Sequence, residues 1–304
     1  MYRTPKKKRP DISKLPKESL DKTGRPKLNR PHLICLGGGV ESIPMLTTLS
    51  RDYKLIVMDG DDFSHGKIWA EAMASRGHLF WLSNIYNPQT TVKNVVDFTS
   101  ALTYRNRSLD IQGVICTATD CPDTQAAVAE RLNLPTIGKE SAKAGRDKWV
   151  QIERLANAGL PIPVSKQIGI NATWEELEGF DIIKPVASRG ARGVQRLDKD
   201  NFRHQVYIAH LESLPNYKRV VAQKFVEGVQ LSTESIVYDG EVIFTCFALR
   251  NYEYLSRFSP FIIENGCDTP YFISSDQLNA YNDLILKSAD ALGWNNWTIK
   301  GDGL

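Results

Sequence analysis

The sequence predicts an α/β protein in two parts, an open parallel sheet followed by a mixed second domain. Three observations carry this reading. From His32 to about residue 136, short apolar runs alternate with helix-compatible stretches and Gly-rich turns, the pattern of parallel strands joined by right-handed crossovers. From residue 137 that alternation gives way to closely spaced strands and a hairpin. The length, 304 residues, suits two domains with a sizeable core.

Residues 1–30 precede the pattern. They hold eleven Lys/Arg against three Asp/Glu, together with Pro5, Pro10, Pro16 and Pro26, and show no apolar periodicity. This is the composition of a disordered leader. The remainder then has 27 basic and 32 acidic residues, so the net charge of +3 belongs to the leader and the body is mildly acidic. Lys6, Lys7, Lys8 and Arg9 offer a weak contact for nucleic acid or an anionic surface; no other nucleic-acid or membrane partner is expected. No apolar run reaches the length of about 18 residues of a membrane span, and no apolar segment follows the first basic residues as in a secretory signal. Cys35, Cys116, Cys121, Cys246 and Cys267 form neither a disulfide framework nor a zinc pattern. A cytoplasmic protein is expected.

In order, strands are expected over 33–36, 54–58, 79–82 and 113–116, with helices to about 49, near 67–74, over 91–102 and over 124–132. This is a first domain at 31–136. In the second domain, 137–304, one amphipathic helix is expected over 141–158. Thr173-x-x-Glu176 reads as a capping box opening a short helix, and 181–185 as a strand. A helix over 201–214 precedes strands over 220–226, 231–238 and 241–249, the last two joined by an Asp239-Gly240 hairpin turn. Ser274-x-x-Gln277 caps a long helix to about 292, and a strand follows at 297–300.

Three Gly-rich segments compete as ligand sites. Gly37-Gly38-Gly39 follows the first strand and Asp59 ends the second, which is the outline of a dinucleotide fingerprint. Ser42 stands where its third glycine should be. Gly60 to Gly66-Lys67 imitates a phosphate loop with one residue too many between the glycines, and Ile68 replaces the hydroxyl residue. The third segment, Lys184-Pro185 followed by Ser188-x-Gly190-x-x-Gly193, is the informative one. Its glycines expose backbone N–H groups, Arg189 and Arg192 add charge, and Lys184 projects as a point charge from a strand, a combination suited to nucleotide phosphates. Asp147-Lys148 precedes it and Gln223-Lys224-Phe225-Val226 to Gln230 follows.

This ordered set resembles the ATP-grasp superfamily of carboxylate–amine ligases, with the α/β domain that precedes it, over residues 31–304. It is most similar to carbamoyl-phosphate-synthetase-like and D-alanine-ligase-like members. The resemblance implies a lid subdomain at about 147–226 and a C-terminal subdomain from about 227. It implies ATP and Mg2+ as cofactors, a small-molecule carboxylate and an amine as substrates, and a possible homodimer. Lys148 would reach the α-phosphate, and Lys184 the α- and β-phosphates and the adenine edge. Ser188, Gly190 and Gly193 would form the lid. Gln223 stands where the family has a Glu accepting from the adenine amino group, Lys224 and Val226 would offer backbone contacts to adenine, and Gln230 replaces the Glu that binds ribose.

Asp302 would be a magnesium ligand and Arg250 would stabilise an acyl phosphate, with 251–270 on the substrate side. The family's further magnesium ligands, Glu-x-Asn on a following strand, would lie past Leu304. The chain therefore reads as the front part of a longer ligase, inactive or impaired by itself. Two alternatives stand beside the ligase: an ATP-binding protein of the same fold without turnover, and an NAD(P)-dependent oxidoreductase using Gly37–Gly39 and Asp59.

Overall fold

The computed structural model describes residues 30–60, 78–104, 109–188 and 190–303, with the backbone alone at 82 and 102–104. The leader, the helix near 67–74, the Gly66-Lys67 pair and Arg189 lie outside these residues. The chain divides into two compact units between Ala142 and Lys143.

In the first unit, strands β1 (His32–Leu36), β2 (Lys54–Asp59), β3 (Leu79–Leu82) and β4 (Ile111–Cys116) form a sheet of order β3-β2-β1-β4, with all pairs parallel. Residues 33–36 of β1 and 55–58 of β2 are apolar because both faces are covered. Ile34, Leu36, Ile56, Met58 and Val114 pack with Val95 and Val128 from helices α2 (Pro88–Tyr104) and α3 (Pro122–Arg131). Leu33, Cys35, Leu55 and Val57 pack with Leu46 of α1 (Ile43–Leu49) on the other face. Strand order reverses at β1, so the loops after β1 and β4 meet at the carboxyl ends of the strands, where open α/β sheets bind ligands. The same loop brings the Cys116 and Cys121 sulfurs to 3.5 Å, a proximity their five-residue spacing does not announce.

The expected helix over 141–158 is broken. Helix α4 (Lys139–Arg146) ends at Asp147, whose extended backbone (φ −97°, ψ 101°) starts α5 (Lys148–Asn157), and whose side chain accepts from the Trp149 and Val150 N–H groups. The apolar stripe ran through 147, but a helix-capping carboxylate restarts the chain there.

The second unit contains two antiparallel sheets. The smaller has the order β5-β8-β6-β7, from β5 (Ser165–Ile168), β6 (Ile182–Pro185), β7 (Gln195–Arg196) and β8 (Val220–Gln223). Ile168, Ile183, Val220 and Ala222 of one face pack against Leu177 of α6 (Trp174–Leu177) and Val206 and Ala209 of α7 (Phe202–Glu212). Strand β8 stops at Gln223 rather than 226, because the Lys224 N–H turns to Val164 O and the Phe225 N–H to Asp181 Oδ2. Phe225 and Val226 are left exposed.

The larger sheet has the order β11-β10-β9-β12, from β9 (Leu231–Tyr238), β10 (Glu241–Arg250), β11 (Cys267–Asp268) and β12 (Trp297–Gly303). Asp239 and Gly240 both take positive φ at the hairpin, as a tight right-twisted turn requires. Leu231, Phe247 and Leu249 pack with Leu278 and Tyr281 of α8 (Ser275–Leu292), which begins in the expected Ser274/Gln277 capping box. Register places Ser232, Ala248 and Asp302 side by side, then Glu234, Cys246 and Lys300. Since side chains alternate along a strand, these lie on the face away from α8. Among the described residues no helix is long and apolar enough to cross a membrane.

Candidate functional site

Lys184 is the third residue of β6. Its neighbours Ile183 and Pro185 share the face that packs on α7, so Lys184 stands on the opposite face beside Gln223 and Ser165. Its ammonium donates to Gln223 Oε1 at 2.7 Å, and Gln223 Nε2 donates to Ser165 Oγ at 2.7 Å. A neutral amide thus meets the lysine where a carboxylate would have neutralised it. The start of α5 is clipped to the end of β6 by the Lys148 N–H donating to Val186 O at 3.0 Å, which carries a second ammonium into the neighbourhood. Burial, and after it the Lys148 charge, lowers the Lys184 pKa to about 8. Asp147 does not relieve this. It is fully buried, engaged with the α5 N–H groups and ion-paired to Arg219, whose Nη1 also donates to Gln167 at 2.6 Å.

The loop after β6 is a left-handed turn, with positive φ at Gly190 (57°), Ala191 (56°) and Gly193 (74°). Ser188 Oγ donates to Arg192 O at 3.0 Å and ties its base. A Cβ at Gly193 would lie 2.9 Å from Glu212 and Pro185, whereas Gly190 has open space around it. Close packing requires the first of these glycines, and the backbone turn alone favours the second. Lys224 lies 3.7 Å from Asp181 through its ammonium.

A second cluster lies at the end of the large sheet. Arg250 Nη1 donates to both Glu264 carboxylate oxygens at 2.6 and 2.7 Å, and Nη2 donates to Ser232 Oγ at 3.0 Å. Nη2 is 3.7 Å from Asp302 Oδ1. Burial opposes the Arg250 charge, but Glu264 and then Asp302 outweigh it and its pKa is raised. The Tyr252 hydroxyl pKa is raised by burial and by the Glu264 and Asp302 charges. Gln230 O accepts the Arg250 N–H at 3.0 Å.

The structure therefore gathers Lys148, Lys184 and Gln223 on the small sheet, with Ser188, Gly190 and Gly193 in the loop that follows. It gathers Gln230, Arg250 and Asp302 on the large one. Lys224 and Val226 sit on the exposed stretch between the sheets. Ser165 and Ser232, to which the sequence assigned no role, join these clusters, as do Tyr252 and Glu264 from the 251–270 stretch expected on the substrate side. Ser232 meets Asp302 through the pairing of β9 with the remote strand β12, which no local spacing shows. Glu264 carries no periodic signal at all. An open hollow of about 780 Å³ lies beside α5, lined by Trp149, Ile152, Ala156, Ile162 and Val164, with Ser165 at its edge. Glu153, Arg154 and Asn157 of α5 line it as well.

The glycine turn of the first unit is arranged differently. Asp59 accepts from the Gly38 N–H at 2.6 Å and the Gly60 N–H at 2.8 Å. Thr117 Oγ1 donates to Gly37 O, and Ser42 Oγ donates to Thr117 O at 2.6 Å. A Cβ at Gly38 would lie 2.9 Å from Phe80. The fingerprint glycines and their acid partner are consumed in holding β1, β2 and β4 together.

Residues 145–293 match the family model described as the ATP-grasp domain, and the chain carries a domain of the ATP-grasp superfamily behind an α/β unit. Solved structures share this fold. One is an L-amino acid ligase from Bacillus licheniformis, at 18% identity and TM-score 0.65, covering 90% of this chain and 63% of that one. Another is the D-Ala:D-Ser ligase of Enterococcus faecalis, at 13% identity and TM-score 0.64, covering 90% and 85%. A third is N5-carboxyaminoimidazole ribonucleotide synthetase in complex with ADP, at 14% identity and TM-score 0.62, covering 90% and 66%. The chain spans less than two thirds of the length of the Bacillus licheniformis ligase. No curated protein matches it in sequence.

Proposed function

We propose that this chain binds ATP through Lys148 and Lys184 and belongs to a ligase that joins a carboxylate to an amine through an acyl phosphate. One observation carries the reading. The Lys184 ammonium is held on the sheet face with a neutral amide, Gln223, as its hydrogen-bond partner at 2.7 Å, and burial and, after it, the Lys148 charge lower its pKa. A polyphosphate that pairs with the ammonium would offset both. Gln223 supplies a carbonyl acceptor, and the exposed stretch around Val226 offers main-chain groups to a base.

The chemistry asks for positioning and charge neutralisation rather than a nucleophilic side chain. Arg250 presents its Nη2 edge for the anionic acyl phosphate. Asp302, exposed on the same sheet face, would supply one carboxylate ligand to a magnesium ion. When bound, that ion would neutralise charge on the phosphate oxygens. Among the described residues no group of three or more His, Cys, Asp and Glu side chains could hold a metal ion.

The test is ATP binding by calorimetry to wild type and Lys184→Ala, together with ADP release in the presence of amino acids and other small carboxylates, with and without amines. ATP binding that vanishes in the variant, with carboxylate-dependent ADP release, supports the ligase. ATP binding without release under any carboxylate leaves a nucleotide-binding protein. NAD binding without ATP binding overturns both.

A further inference from the structure

We propose that Glu264 is the positioning residue of Arg250, fixing which edge of the guanidinium faces an incoming anion. The inference rests on reading Arg250 as the anion-binding group of the ligase site.

Glu264 takes one terminal nitrogen of Arg250 completely, with both carboxylate oxygens on Nη1 at 2.6 and 2.7 Å. The other nitrogen, Nη2, is left aimed along the polar face, toward Ser232 Oγ at 3.0 Å and Asp302 Oδ1 at 3.7 Å. An arginine on a flexible stem loses rotamer freedom when it binds, so holding one end in advance leaves less to lose on the anion. A charged pair of this geometry is strong where it is screened from water, and the Arg250 side chain is only 16% exposed.

The carboxylate is itself held from both sides. Ahead of it, Ile262 N–H donates to Val194 O at 3.3 Å and Arg196 N–H to Pro260 O at 2.7 Å, so residues 260–262 run along β7 as an added edge of the small sheet. Behind it, Asn251 N–H donates to Gly266 O at 2.8 Å and Asn265 N–H to Asn251 O at 3.0 Å. Glu264 is thus slung between the strand that follows the Gly-rich loop and the residue next to Arg250. A surface salt bridge formed by chance has no such double tether. The segment is irregular, which explains why spacing alone did not reveal it.

The test uses inorganic phosphate as the probe of the anion site, titrated by calorimetry into the full chain saturated with ADP and magnesium. Wild type, Glu264→Gln, Glu264→Asp, Arg250→Ala and the Arg250→Ala/Glu264→Gln double variant are compared. Phosphate affinity should fall about tenfold or more in Arg250→Ala and by a similar factor in Glu264→Gln, the scale of misplacing a positioned group. ADP affinity should stay within about twofold, and Glu264→Asp should recover part of the loss. The double variant should be no weaker than Arg250→Ala alone. A merely structural Glu264 would instead lower ADP and phosphate affinity together, or add its loss to that of Arg250→Ala. Either result overturns the proposal, as does unchanged phosphate affinity in Glu264→Gln, or wild type that binds ADP but no phosphate. Wild type that binds no ADP rejects the ligase reading itself, and this inference with it.

Discussion

Two glycine-rich turns follow strands in this chain, each with a charged residue beside it, and they have opposite electrostatic characters. At Gly37–Gly39 the charge is spent. Asp59 accepts two backbone N–H groups, and the threonine and serine hydroxyls of the neighbouring turns take up carbonyls. At Lys184 the hydrogen-bond partner is a neutral amide, and burial and the Lys148 charge both lower its pKa. A turn whose polar groups satisfy one another is part of the scaffold. A turn beside a buried ammonium whose hydrogen-bond partner is neutral suits a ligand of opposite charge. Glycine content, which the two share, does not tell them apart.

The contrast is broken most forcefully by Lys184→Ala. It should cost about 1.5–3 kcal/mol of ATP affinity, the range for a hydrogen bond to a charged group, read by calorimetry. The matching change in the first unit, Gly38→Ala, should leave ATP affinity unchanged and destabilise by about 1–3 kcal/mol through overpacking on Phe80 and Val57, read by urea unfolding. Asp59→Asn should be smaller, about 1 kcal/mol for one of two N–H acceptors weakened, again with no change in nucleotide binding. Loss of ATP binding in either first-unit variant would collapse the distinction between the two turns.

A finer comparison uses stability against pH. The Lys184 pKa is lowered from 10.5 to about 8 in the folded chain. Between these values the unfolded chain binds the proton and the folded chain does not, so this group's contribution to stability rises with pH from about 8 toward 10.5 and is least favourable below 8. Lys184→Met should therefore raise the melting temperature at neutral pH, by about 2–4 °C for each kcal/mol relieved, and flatten that rise. A variant that melts lower at neutral pH would mean that the lysine is not under electrostatic strain.

Much of this was legible in the sequence. Strand–turn–helix alternation located the parallel sheet, and the Asp239-Gly240 pair and two capping boxes located the hairpin, α6 and α8. These signals are local, each resting on a few adjacent residues. The break at Asp147 was missed because a capping carboxylate sits inside an otherwise continuous apolar stripe, and the tertiary partner that holds it, Arg219, is remote in sequence. The end of β8 was missed for a similar reason, since Val164 and Asp181 claim the next two N–H groups. Lys148 and Lys184 could be nominated by motif, but their electrostatic coupling depends on the Lys148–Val186 clip. Glu264 was invisible because an irregular segment has no period to read, and only the fold sets it on Arg250.

The most direct test of the lysine pair is an ATP titration of the wild-type chain at pH 8 in two buffers of different ionisation enthalpy. If the pair awaits phosphate, ATP binds and the Lys184 pKa climbs on binding, so the complex takes up protons and the apparent enthalpy differs between the buffers. Binding with no buffer dependence, or no binding at all, would contradict the claim that unrelieved positive charge at Lys184 marks the nucleotide site.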